Sequence, residues 1–168
     1  MPIAFREQIE AFLRTKRIAM VGVSRNPEDF SRKLFDELVR RGYDVVPVNP
    51  NTDRIGETPC YPRVTSIEKP VEAALLMNPN AQTAAVCDDC IAAKVPRLWM
   101  YCAVGNGAVD QVAAERCRRA GMDVIEGHCP FMFLENTAWF HRVHKAVLIF
   151  FGSYPPPMPV PKLKNRRA

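Results

Sequence analysis

Long apolar runs are missing from this 168-residue chain: none approaches the ~18 residues that a membrane span requires. The opening "MPIAFREQIEAFLRTKR" is amphipathic and carries acids, with neither an apolar signal core nor a small-residue cleavage site. A cytoplasmic protein with no membrane partner is therefore expected. Dense cysteine spacing is missing too. Cys60, Cys87, Cys90, Cys102, Cys117 and Cys129 are scattered, which excludes a disulfide scaffold. A basic nucleic-acid face is also lacking. Four of the cations behind the net charge of +5 sit in the terminal "KLKNRRA" (Lys162, Lys164, Arg166, Arg167), and the remaining body stands near neutrality. Glycine is scarce where it would be most informative. The turn after the first apolar run has one, Gly22, where a dinucleotide-binding fingerprint carries three. No Ser/His/Asp order and no paired carboxylate set stands out, so the residues offer no catalytic machinery.

What is present is the pattern of a globular α/β domain, with 48% hydrophobic and 24% charged residues. "RIAMVGV" (17–23), "YDVVPV" (43–48), "EAALLM" (72–77), "RLWMYC" (97–102) and "MDVIE" (122–126) are short continuous apolar runs. Such runs suit strands buried on both faces. Between them, "DFSRKLFDELVRRG", "NAQTAAVCDDCIAAK" and "GAVDQVAAERCRRAG" read as helices. Phe30, Leu34, Phe35 and Leu38 share one face of the first, and Val109, Val112, Ala113 and Cys117 are expected inward in the third. Gly42 and Gly121 stand where glycine closes a helix. Strands alternating with helices of this length imply a Rossmann-like, doubly wound, mostly parallel sheet of five strands with helices on both faces. The stretch "TDRIGETPCYPRVTSIEKP" is expected to be mostly loop, with turns, prolines and a short extended piece around Cys60.

The domain is expected to occupy residues 1–135. Residues 136–152 carry Trp139, Phe140, Val143, Val147 and Phe150 at helical spacing. That stripe suits either a cover for the domain or a surface for a second copy, so a homodimer stays open. The Pro-rich basic tail, 153–168, reads as disordered. His141 and His144 share a face there without an acid or a third ligand.

In an open parallel sheet, ligands bind beyond the carboxyl ends of the strands, where strand order reverses. The loops there are "GVSRNPEDFS", "NPNTDR", "NPNAQT", "YCAVGN" and "GHCPF". In the first, Gly22 allows a tight turn, and Ser24, Asn26 and Ser31 offer short polar groups. Arg25 and Lys33 supply charge. A phosphate or pyrophosphate site and an ordinary capped turn both fit these residues. "CDDC" at 87–90 has CxxC spacing, but zinc would need further ligands such as His128 or Cys129, and a redox pair belongs at a helix N-terminus rather than inside one. No metal is expected. Cys129, between His128 and Pro130, is either a strand-end thiol favoured as thiolate or a buried turn cysteine.

"IAMVGVSRNPEDFSRKLFDELVRRGYDVVPVNPN", continued by "GETPCYPRVTSIEKPVEAALLMNPN" and "PRLWMYCAVGNGAVDQVAAERCRRAGMDVIEGHCP", resembles the small stand-alone CoA-binding proteins. These are relatives of the N-terminal domain of the succinyl-CoA synthetase alpha subunit, and the likeness covers about residues 4–135. It implies coenzyme A as the ligand, with its phosphates on Gly22, Val23, Ser24, Arg25 and Asn26 and a basic residue at Lys33. Asn49, Pro50 and Asn51 would flank the nucleotide, and Met77, Asn78 and Pro79 would form the adenine wall. "YCAVGN", with Tyr101, Cys102, Val104 and Gly105, would lie near the pantetheine arm, and Cys129 in the closing Cys-Pro turn.

The chain departs from the ligase pattern. Thr52 stands where the ligase has a lysine, and the ligase's phosphorylated histidine lies in a second domain with no counterpart in these residues. The implied function is non-catalytic binding of CoA or an acyl-CoA, with Cys102 or Cys129 open to a mixed disulfide with its thiol. The rivals are a CoA-using enzyme subunit that needs a partner, and an NAD(H)-binding sensor. The last is disfavoured because "VNPN" puts no acid at the end of the second strand to hold an NAD ribose, and no DNA-reading domain is attached.

Overall fold

The computed structural model describes residues 3–102, 105 and 107–134. In chain order they form α1 (Ile3–Leu13), β1 (Arg17–Val21), α2 (Phe30–Arg40), β2 (Asp44–Val48), β3 (Arg54–Ile55), β4 (Thr58–Pro59), β5 (Ala73–Leu76), α3 (Asn80–Ala92), β6 (Arg97–Met100), α4 (Gln111–Arg119) and β7 (Asp123–Glu126). Single 3-10 turns follow at Val64–Ser66 and Pro130–Met132. These elements fall into two compact units. One spans Thr15–His128, and the other joins the chain up to Arg14 with the chain from Cys129 onward.

In the larger unit the five apolar runs become a parallel sheet in the order β2-β1-β5-β6-β7, a Rossmann-like arrangement. Ala19 of β1 pairs with Val46 on one side and Ala74 on the other. Side chains alternate across the pleat. Ala19, Val21, Val46, Val48, Ala74, Leu76, Leu98 and Met100 share a core with Cys87 and Cys90 of α3 and with Ala113, Ala114 and Cys117 of α4. The intervening Ile18, Met20, Val45, Leu75, Trp99 and Ile125 are buried on the other face. Burial on both faces is why these runs carry no polar alternation, and each fully buried Leu or Ile stabilises the fold by roughly 1.5–3 kcal/mol. The Trp99 indole N–H, a polar group inside that core, donates to the Gly127 carbonyl at 2.9 Å.

Strand order reverses between β1 and β5. Right-handed crossovers therefore put α2 on one face, with Leu34, Phe35 and Leu38 buried, and α3 and α4 on the other. Gly42 and Gly121, at φ +89° and +85°, close α2 and α4 as their positions suggested. Asp110 caps α4, its carboxylate accepting from the Ala113 N–H at 3.0 Å.

Three details refine or correct the sequence expectation. β1, β5 and β6 end one or two residues early, while β2 and β7 end where expected and start one residue late; at β1 this is because Gly22, at φ +87°, turns the chain out of the ladder. The short extended piece expected around Cys60 is part of a two-stranded hairpin of β3 and β4, and Tyr61 then bridges in parallel to Val48 beside β2. Val112 of α4 is not inward but 74% exposed, while Ala113 and Ala114 take the inner face. No helix among the described residues is long and apolar enough to cross a membrane.

In the smaller unit, α1 carries Glu10 between Arg6 and Arg14, both 3.2 Å away at helical spacing. Cys129 leads into the 3-10 turn and accepts at its carbonyl from the Met132 N–H at 2.9 Å. The helix expected at 136–152 and the tail at 153–168 lie outside the described residues.

Candidate functional site

The mouth where strand order reverses holds a cavity of about 500 Å³, inside the range of about 300–1,000 Å³ common to small-molecule sites. Its walls come from the ends of β1, β2 and β5, from the Pro62–Val64 stretch, and from one face of α3.

Gly22 joins the three strand ends. Its N–H donates to the Val48 carbonyl at 2.9 Å, and the Met77 N–H donates to Val21 at 2.8 Å. A Cβ at Gly22 would stand 2.8 Å from the Asn78 nitrogen and 2.9 Å from the Met77 carbonyl carbon. The single glycine of the loop therefore serves the close approach of β5's backbone, which explains its presence without the two that usually accompany it.

The rest of the first loop is bonded to itself. The Ser24 hydroxyl donates to Asp29 at 2.6 Å, and the Asn26 side-chain amide donates to the other Asp29 oxygen at 3.1 Å. The Asn26 N–H reaches Ser24 Oγ at 3.1 Å, the Glu28 N–H reaches Asn26 Oδ1 at 3.1 Å, and the Ser24 N–H reaches Ser31 Oγ at 3.0 Å. Asp29 stands at the N-cap of α2, yet its carboxylate makes no capping bond and turns back into the loop. Lys33 is paired with Glu28 at 3.0 Å. Arg25 is exposed.

The second loop is pinned to the first: the Asn49 amide donates to the Val23 carbonyl at 2.8 Å, and its oxygen accepts from the Asn51 N–H at 2.9 Å. The third loop is tied to the fourth. Asn78 Nδ2 donates to Thr83 Oγ1 at 3.0 Å, and that hydroxyl donates onward to the Ala108 carbonyl at 3.0 Å. Asn80 adds a second tie to the Val109 carbonyl. Asn78 Oδ1 is buried without a partner.

Of the residues singled out in the sequence, Gly22, Ser24, Asn49, Pro50, Asn51, Met77, Asn78 and Pro79 line this cavity. Val23 is fully buried, and Arg25 and Asn26 of the loop and Ser31 and Lys33 of α2 do not line the cavity. Tyr101 stacks on Phe30 at 5.4 Å between ring centres, and half-buried Cys102 donates to the Gly105 carbonyl at 2.9 Å. Neither lines the cavity. Val104 lies outside the described residues, and Cys129 belongs to the smaller unit.

Cys129 is a buried thiol rather than a favoured thiolate: burial pushes its pKa up to about 12. Burial also lowers the pKa of His128, so that neighbour is a neutral imidazole near pH 7 and supplies no charge to stabilise a thiolate. Cys87 and Cys90 are core residues whose thiols are pushed up as well, by the neighbouring Cys117 and by burial at Cys87 and chiefly by burial at Cys90.

Sequence reasoning missed Pro62, Arg63, Val64, Gln82, Ala85, Val86 and Asp89. Gln82, Ala85, Val86 and Asp89 follow helical spacing from within the third strand-end stretch onward, a signal that was available. Asp89 is built into the wall. One oxygen accepts from the Val64 N–H at 2.6 Å and the Thr65 N–H at 3.3 Å, and the other from Thr65 Oγ1 at 2.7 Å and Arg63 Nε at 3.2 Å. Nothing local in the sequence announces a pair 26 residues apart.

Residues 16–135 match the family model described as a CoA binding domain. The chain is 26% identical over 120 residues to the uncharacterised protein YneT of Bacillus subtilis, covering 71% of this chain and 86% of that one. It is also 26% identical over 142 residues to the ADP-forming acetate–CoA ligase II of Archaeoglobus fulgidus, covering 83% of this chain but 21% of the ligase. Among solved structures, a hypothetical protein from Pyrococcus horikoshii superposes with a TM-score of 0.69 at 26% identity, over 77% of this chain and 91% of that one.

Proposed function

This chain belongs to the CoA binding domain family, and from that premise we propose that it holds coenzyme A or an acyl-CoA at the β1/β2/β5 mouth without performing chemistry on it. The observation that carries the reading is the coincidence of the family match with a cavity at the one point where the sheet reverses. In this reading the adenine rests against Met77, Pro79 and Val86, and the ribose passes Asn49 and Asn51. The diphosphate meets Ser24 and Arg25, and the pantetheine arm leaves past Tyr101, Cys102 and Gly105. Asn26 of the loop and Lys33 of α2 contribute from beside Ser24 and Arg25.

The lining supports a binding role. Among the described residues around the cavity there is no histidine, cysteine, lysine or tyrosine. The carboxylate that is present, Asp89, already accepts from two backbone N–H groups, a hydroxyl and a guanidinium. A group so occupied is a poor general base. NAD fits less well, since Asn49 spends its amide on the Val23 carbonyl where an acidic ribose partner would stand.

The likeness to a ligase of which this chain spans 21% favours a second reading, a module that presents CoA to a reactive group on a partner. Calorimetric titration with CoA, acetyl-CoA, NAD and NADH tests the first reading. CoA and acetyl-CoA are expected to bind with similar affinity and both nicotinamide cofactors at least tenfold more weakly. Preferential NAD(H) binding would reject it. Turnover of CoA only when a ligase-type partner is added would favour the second.

A further inference from the structure

Arg63 is the sole cation among the described residues that line the cavity, and its setting is that of a prepared anion receptor. Its side chain is 65% exposed, while Asp89, the carboxylate that holds it, is 8% exposed. Asp89 is fixed from below by the Val64 and Thr65 backbone and the Thr65 hydroxyl, so its charge is shared among four donors and offsets the guanidinium in part only. The pair is made through Arg63 Nε. Among the described residues, both Nη groups are left without a hydrogen bond. A guanidinium anchored by one edge and open at its fork matches two oxygens of a phosphate.

Arg63 lines the cavity from the segment after β4, whereas Ser24 lines it from the loop after β1. We infer that Arg63 receives a second, peripheral monophosphate of the bound nucleotide, so that the site selects CoA, with its ribose 3′-phosphate, over otherwise identical compounds that lack it. The inference rests on the CoA reading above and names the group by which that cofactor is told from dephospho-CoA.

Calorimetric titration of the full chain with CoA and with 3′-dephospho-CoA tests it, repeated on Arg63→Gln and Arg63→Lys. The wild type is expected to prefer CoA by roughly five- to tenfold, a charge-assisted bond discounted for exposure. Arg63→Gln brings the two compounds to parity by weakening CoA alone, and Arg63→Lys, which keeps a cation beside Asp89, retains part of the preference. Parity in the wild type, an undiminished preference in Arg63→Gln, or equal loss of both compounds in both variants overturns the assignment to Arg63. Any of these leaves CoA binding by the wild type standing. Failure of the wild type to bind either compound overturns the CoA reading itself, and this inference with it.

Discussion

Replacing Gly22 by alanine brings two separable costs, and a second glycine allows them to be told apart. Gly22 and Gly42 have nearly the same backbone angle, φ +87° and +89°. Either alanine must adopt a left-handed conformation, at about 1–2 kcal/mol. Only at Gly22 does the new methyl meet fixed atoms: the Asn78 nitrogen at 2.8 Å, the Met77 carbonyl carbon at 2.9 Å and its oxygen at 3.0 Å, whereas Gly42 has nothing within 4 Å. Those atoms are backbone held to Val21 by a 2.8 Å bond and cannot swing aside like a side chain. Overpacking of this kind adds roughly 1–3 kcal/mol. In a chain of this size a kcal/mol moves the midpoint by roughly 2–4 °C, so Gly22→Ala should melt roughly 4–20 °C below wild type and Gly42→Ala roughly 2–8 °C below. Circular dichroism melts of the three proteins provide the measurement, with a CoA titration of each below its transition. Gly22→Ala should also lose affinity, because the methyl pushes β5's end into the cavity. If the two variants melt within about 1 °C of each other, the close approach of β1 and β5 is not the reason for a glycine at this position.

Asp29→Ala releases the Ser24 hydroxyl and the Asn26 amide and removes a negative charge from the loop assigned to the diphosphate. CoA is then expected to bind several-fold more tightly by calorimetry, while weaker binding would mean that the carboxylate organises the loop rather than competing for it. Incubation with CoA disulfide followed by non-reducing mass spectrometry should map adducts to half-buried Cys102 and not to Cys129, which is buried and whose thiol burial holds in the protonated form. Burial lowers the His128 pKa, so the folded protein binds its proton less readily than the unfolded chain. The stability this gives is fully present above the unfolded value of about 6.5 and is lost as pH falls through the folded value. His128→Asn, a residue that tolerates the φ of +60° at this position, should flatten the slope of urea-unfolding free energy between about pH 7 and 5. An unchanged slope would assign that dependence to other groups.

The sheet was legible in the sequence because burial on both faces leaves a chemical trace along each strand. "RIAMV" and "AALL" have no polar alternation to confuse the period, and the glycines at 42 and 121 punctuate the helices that follow. The β3–β4 hairpin was not legible, since two-residue strands are too short to show any period. Val112 misled because a valine at helical spacing reads as core, whereas small Ala113 and Ala114 permit closer packing of α4. For the site, the strand-end loops announced themselves through Asn, Pro and Ser. The Arg63–Asp89 pair did not, because its meaning depends on a loop meeting a helix wall far along the chain. In the first loop, the residue types are those expected of an anion cradle, but the sequence did not reveal that Asp29 already occupies its donors.

The bonds running from Asn78 through Thr83 to Ala108, and from Asn80 to Val109, make residues 78–83 and 107–110 a single cassette. Transplanting either stretch alone from a homologue would strand buried amides and carbonyls, whereas moving both together would carry the linkage intact. Efforts to reshape what this mouth accepts should therefore treat the two segments as one unit of exchange, varying them in tandem or leaving both untouched.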